Sequence, residues 1–194
     1  MYYLVDTNVF LEAIANEITP VASQCKENEN ALIITKAILD ELEPGSDKVE
    51  VDEAVKYPFI EVKNLVYGTM GRKLIELVDI TEYKEAEQTY KDLRKKFYSW
   101  MENAEYLHKL VLDGRCTAEE IKKSTFRNRD KGECELISLA KTSPENYVIV
   151  TEDLGRVYLH PNQNLFEDYA KPAGISVCKC KQWKKKIGYN SSEK

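Results

Sequence analysis

Tyr2-Tyr3-Leu4-Val5-Asp6-Thr7-Asn8-Val9-Phe10-Leu11 opens the chain as an apolar strand that runs straight into an acid and an amide. In a parallel α/β sheet, the residue just past the carboxyl end of a strand lies in the ligand crevice. Asp6 is therefore expected there. The same grammar recurs in Tyr147-Val148-Ile149-Val150-Thr151-Glu152-Asp153, where a β-branched strand ends in a threonine and an acid. Ala31–Thr35 and Ile175–Cys178 also read as strands, and helical patterns separate all four. The alternation argues for an α/β fold with a central, mostly parallel sheet covered by helices. Thr19-Pro20 reads as a helix N-cap followed by proline at the first helical position. Pro44-Gly45 reads as the end of a helix that starts near Lys36, and Phe59–Val62 as a short edge strand or extended link.

The 194 residues suit one domain with an insertion better than two independent domains. Apolar residues at 43% and charged residues at 31% describe an ordinary globular chain. A net charge of −5 excludes a surface coated for nucleic acid, though not a local basic groove. Cys25, Cys116, Cys134, Cys178 and Cys180 are odd in number and scattered, which suits reduced thiols. The apolar runs fall short of a membrane span, and no targeting segment is read. A cytoplasmic protein with no membrane partner is expected.

The middle of the chain differs. Tyr83, Ala86, Tyr90, Leu93, Phe97, Trp100, Ala104, Leu107 and Val111 are spaced alternately by three and four. This heptad stripe predicts one long helix from Glu82 to Leu112, ended near Gly114. It would pack on the protein's own sheet or form a helical hairpin, or alternatively form a partner or dimer surface. A further helix is expected from Thr117, with Glu120 completing a capping box. Basic residues gather at Lys91, Arg94, Lys95 and Lys96, again from Lys122 to Lys131, and in a C-terminal stretch 181–194 read as a basic tail. Three such clusters on an acidic protein favour a phosphate backbone as partner. Trp183 and Tyr106 are candidates for stacking on its bases.

Two further acids border buried helix faces. Glu41 in Ile38-Leu39-Asp40-Glu41-Leu42 lies at the edge of an apolar stripe. Asp130 and Glu133, in Asp130-Lys131-Gly132-Glu133, read as an N-cap and its reciprocal capping-box position at a helix start, with Glu133 at the edge of the buried face. Two strand-end aspartates and two helix-edge glutamates would repel one another unless a cation compensates. Hard oxygen ligands of this kind suit Mg²⁺ or Mn²⁺.

These segments together resemble the PIN domain, whose members include VapC-type ribonuclease toxins. The resemblance covers the opening 45 residues and the stretch from about Lys131 to Cys178. It implies a three-layer α/β/α fold over residues 1–180, here with a long helical insertion at about 82–126. It implies a Mg²⁺- or Mn²⁺-dependent endoribonuclease with Asp6, Glu41, Glu133 and Asp153 as catalytic, metal-binding acids, and Asp130 and Glu135 as alternates. Asn8, Thr151, Arg129 and Lys131 would position substrate or water. The expected substrate is RNA, single-stranded or structured such as tRNA. A toxin role, an antitoxin or other protein partner, and a homodimer are also implied. The alternative is a PIN fold without catalysis that binds RNA or protein. A haloacid-dehalogenase-type phosphohydrolase would need a second acid where Asn8 stands.

Overall fold

The computed structural model describes residues 1–43 and 53–189. Five parallel strands form the central sheet: β1 (Tyr2–Val5), β2 (Ala31–Thr35), β3 (Ile75–Val78), β4 (Tyr147–Val150) and β7 (Ser176–Cys178). Their spatial order is β3-β2-β1-β4-β7, and every neighbouring pair is parallel. The small hairpin β5 (Arg156–Val157) and β6 (His160–Asn164) stands apart from the sheet. β1 and β4 are buried almost throughout, as strands covered on both faces must be.

Helices complete a three-layer α/β/α arrangement. α1 (Ile18–Glu27) and α3 (Glu53–Tyr67) pack together and against β2 and β3, with α2 (Lys36–Leu42) beside them. α8 (Lys131–Lys141) packs against β1, β2 and β4, and α4 (Lys84–Tyr98) lies along its back. Leu4, Val5, Ile34, Leu136, Ile137, Ile149 and Val150 meet in one continuous core.

Several local expectations change. The heptad stripe is not one helix: α4 ends at Tyr98, a 3₁₀ turn spans Ser99–Glu102, and α5 runs Ala104–Leu112. The break is chemical, because the Asn103 side chain accepts from the Tyr106 N–H and caps a new helix. The first half of the stripe packs within the fold through Ala86, Leu93 and Phe97, whereas Ala104 faces solvent. α6 (Ala118–Lys122) carries the expected Thr117–Glu120 capping box, and the short α7 (Ser124–Arg127) follows. Phe59–Val62 is helical, inside α3, and the fifth strand is instead β3. α1 begins before Thr19. The Thr19 N–H and hydroxyl donate at 2.9 and 2.6 Å to Glu61 on α3, which serves as a cap from another helix. The Pro44-Gly45 helix end lies outside the described residues. The basic stretch from 181 is no loose tail at its start, because α9 (Cys180–Lys186) docks Trp183 and Ile187 into the core. Trp183 is therefore unable to stack on a ligand.

Candidate metal centre

The chain builds β1, β2 and β3 in one direction, then returns to place β4 on the other side of β1. This reversal opens a crevice at the carboxyl ends of β1 and β4, the place where open parallel sheets bind ligands. Asp6 and Thr151 stand at those two ends, and both are buried. The Thr151 hydroxyl donates to Asp6 Oδ2 at 2.6 Å and accepts from the Asp153 N–H at 2.9 Å. Asn8 Nδ2 donates to Asp6 Oδ2 at 2.9 Å and to the Thr151 hydroxyl at 3.3 Å, while its Oδ1 accepts from the Glu152 N–H. Both polar ends of Asn8 thus bind protein. Asn8 and Thr151 tie the two strand ends together and orient Asp6.

Glu41 reaches the same crevice from α2. Its Oε2 accepts from the Thr7 hydroxyl at 2.7 Å and its Oε1 from the Gly132 N–H at 3.0 Å. Gly132 is needed here for space. A Cβ on it would meet Ile38 Cδ1 at 2.5 Å and the two Glu41 oxygens at 2.9 and 3.0 Å. Gly132→Ala is therefore expected to cost about 1–3 kcal/mol through overpacking and to displace Glu41. A lowered thermal midpoint together with weaker Mn²⁺ binding in a titration checks this. A variant matching wild type in both would contradict it.

The α8 acids divide. Glu133 faces Asp6, Glu41 and Asp130, and no other described residue donates to its carboxylate. Glu135 points the opposite way and is removed as an alternate: it is buried, and its Oε2 accepts from the Ala37 N–H at 3.0 Å. The Thr35 hydroxyl lies near that carboxylate and has no hydrogen-bond partner among the described residues. Asp130 is not the side-chain cap that its spacing suggested. It sits in the left-handed region at φ 54°, a conformation short polar residues tolerate, and makes no cap bond. Its Oδ2 instead accepts from the Tyr98 hydroxyl at 2.6 Å and the Tyr158 N–H at 3.4 Å. Asp153 is exposed on the crevice side, with Oδ1 accepting from the Gly155 N–H at 2.7 Å. Arg129 and Lys131 line a cavity of about 480 Å³ beside Glu41, Asp130 and Glu133, and the Arg129 guanidinium lies 3.6 Å over the Tyr158 ring.

Electrostatics links the acids. Burial pushes Asp6 up to about 6, with the Asp153 charge adding to it against three hydrogen bonds that oppose the shift. Glu41 is open to solvent along one flank, yet the surrounding protein mass lifts it to about 7, with Asp6 and Asp130 adding repulsion. Burial, then the charges of Asp6, Asp130 and Glu41, raise Glu133 well above the ordinary carboxylate range. Asp130 is raised mainly by burial. Between the ordinary carboxylate value and about 6, folded Asp6 keeps a proton that the unfolded chain has lost, so stability falls as pH rises through this window. In EDTA, the thermal midpoint is expected to be higher at pH 5 than at pH 8, and excess Mn²⁺ to restore the pH 8 value. A midpoint independent of pH and Mn²⁺ would contradict both.

The donor set suits a hard divalent cation in its chemistry: carboxylates drawn together, protonated more readily than usual, with Glu133 unclaimed by other residues. Among the described residues, no three His, Cys, Asp or Glu side chains close to metal-cage distance. Asp6, Glu41, Asp130 and Asp153 each lean on protein donors instead. Comparison with protein-family models, with curated proteins and with solved structures finds no match.

Some supporting residues were not legible in sequence. Lys179 Nζ donates to the Glu152 and Asp153 carbonyls at 2.5 and 3.0 Å, and Glu152 Oε1 accepts from the Cys180 N–H at 2.8 Å. This clasp holds the loop that carries Asp153. Arg94 donates to the Arg129 and Arg127 carbonyls at 2.7 and 2.8 Å and so fixes the turn before Asp130. The insertion thus helps to build the site, a relation that no local pattern encodes.

Proposed function

We propose that the protein is a metal-dependent endoribonuclease that hydrolyses RNA phosphodiester bonds. The observation that carries this reading is the gathering of Asp6, Glu41, Asp130 and Glu133 at the strand-order reversal, where desolvation raises the pKa of each and the charges of Asp6, Asp130 and Glu41 raise Glu133 further. A bound Mg²⁺ or Mn²⁺ would polarise the phosphoryl oxygen and lower the pKa of a water. The chain's own part is to hold the acids: Thr151 and Asn8 orient Asp6, Gly132 and Thr7 orient Glu41, and Tyr98 orients Asp130. Arg129 and Lys131 offer positive charge at the rim for a phosphate. The resemblance to PIN domains supports the same reaction and single-stranded or structured RNA as substrate.

The test is Mn²⁺-dependent RNA cleavage by wild type beside Asp6→Asn and Glu133→Gln. Both variants cutting as well as wild type would sink the assignment. A second reading is a PIN-like fold that binds RNA or protein without catalysis. Its mark would be a folded protein that binds no Mn²⁺ by paramagnetic resonance. A toxin role with an inhibitory partner chain, or a homodimer, belongs to the same proposal and rests on the resemblance. Action in the cytoplasm is supported by five cysteines that are all free and buried. Among the described residues, no helix is long and apolar enough to cross a membrane.

A further inference from the structure

A second cavity, about 340 Å³, opens on the insertion and is walled by Lys91, Arg94, Lys95, Tyr98, Glu102 and Arg127 among others. Four cations and one acid thus meet in a chain whose net charge is −5. Lys91 is paired with Glu87 at 2.6 Å. Among the described residues, Arg94, Lys95 and Arg127 have no carboxylate within ion-pair distance. Arg94 is held rigid, because its two terminal nitrogens bind the Arg127 and Arg129 carbonyls and its guanidinium lies 4.1 Å over the Tyr98 ring. A positive centre fixed in advance costs less to organise around an anion. Lys95 and Arg127 are exposed and free to close on it, and the exposed Lys91 can do so by leaving its surface pair with Glu87.

Position is the second consideration. Tyr98 walls this cavity with its ring and donates its hydroxyl to Asp130 at 2.6 Å. The basic cavity and the acid cluster are therefore the two sides of one tyrosine. An acid cluster repels a polyanion, so a strand brought to it needs an anchor of opposite charge close by.

We propose that this cavity binds the phosphodiester backbone of the RNA strand next to the bond to be cut, through Lys91, Lys95 and Arg127 gathered about the fixed Arg94. Its role beside a scissile bond rests on the nuclease reading, whereas its affinity for a strand's phosphates does not. The helical insertion is, on this account, the substrate-holding part of the molecule.

The test is fluorescence anisotropy of a short labelled single-stranded RNA with the full chain in EDTA, over a salt series. Each neutralised phosphate on a single strand contributes about −0.7 to the slope of log affinity against log salt. The triple variant K91A/K95A/R127A is expected to bind roughly tenfold or more weakly and to flatten that slope by about 2. The control K63A/K73A, at exposed positions on α3 and just before β3, is expected to bind as wild type, as is the charge-keeping K91R/K95R/R127K. An unchanged slope in the triple alanine variant overturns the proposal, and so does an equal loss in the control or in the charge-keeping variant. Competition by poly-glutamate as strong as by unlabelled RNA would mean a protein-docking surface and overturn it. Displacement by sub-millimolar inorganic phosphate would mean a small-anion site and do the same. Binding that behaves as expected with no Mn²⁺-dependent cleavage would sink the nuclease reading and leave the cavity standing.

Discussion

Asp6→Asn is expected to abolish most metal-dependent RNA cleavage while leaving the protein folded. Asp6 is the most enclosed acid of the crevice, and every one of its hydrogen bonds comes from residues of the two strand ends. The amide cannot supply a formal negative charge, so attraction for a divalent cation is lost at the centre of the cluster. Residues that only orient a metal ligand typically cost about 10–100-fold when removed. Thr151→Val, which takes away the hydroxyl between Asp6 and the Asp153 N–H, is expected in that range. Asp6→Asn should exceed it, with kcat falling rather than KM rising alone. Stability should move differently. At pH 8 the wild-type crevice in EDTA carries a buried carboxylate whose pKa is pushed up to about 6. Removing its charge relieves repulsion with Glu133 and Asp153. An amide nitrogen at the Oδ2 position meets the Asn8 Nδ2 donor instead of an acceptor, and that lost hydrogen bond opposes the relief. The apo variant is therefore expected to melt within a few degrees of wild type at pH 8. A variant that melts much earlier would mean that Asp6 is chiefly structural, and one that cleaves at the wild-type rate would place the chemistry elsewhere.

Trp183→Ala is expected to produce the largest loss of stability. Trp183 is fully buried beneath the sheet's first strand, with its ring 5.9 Å from that of Tyr3. Removing a buried tryptophan typically costs about 3–5 kcal/mol. For a chain of this size, this corresponds to a fall of roughly 10 °C or more in Tm. The indole N–H finds no acceptor among the described residues, so its desolvation is not offset. Trp183→Phe removes that donor while keeping most of the apolar bulk, and should recover much of the loss. Thermal melts of the two variants beside wild type decide the matter. If alanine were tolerated within about 1 kcal/mol, Trp183 would not be what docks α9 into the core. An RNA-binding defect in Trp183→Phe without a change in Tm would restore a recognition role to this residue.

The two cases separate what was local from what was not. Asp6 and Asp153 announced themselves because a short β-branched run followed by an acid specifies a strand end, and parallel strand ends converge. Glu41 and Glu133 were legible because their spacing to apolar neighbours puts them at the edge of a buried helix face. Asp130 and Glu135 could not be ranked, since a helix start accommodates an acid in several roles. Only the packing of Tyr98 against one and Ala37 against the other divided them. The aromatic stripe carried a helix period but not its interruption, because the Asn103 cap competes with helix continuation by a margin too small to read along the chain. Trp183 among lysines looked like a recognition residue, since polarity averaged over neighbours conceals a helix that buries one face.

By itself, the amino-acid sequence determined the α/β alternation and the acids at the strand ends, both of which depend on residues adjacent in the chain. The tertiary structure alone decided the five-strand order, the burial of the C-terminal helix, the turning of Asp130 toward Tyr98 and of Glu135 toward Ala37, and the placing of the insertion's arginine and tyrosine behind the acid cluster. Those depend on contacts between segments tens of residues apart, such as Tyr98 with Asp130 and Glu41 with Gly132. Their energies come from burial and desolvation, which exist only once the chain has closed around them.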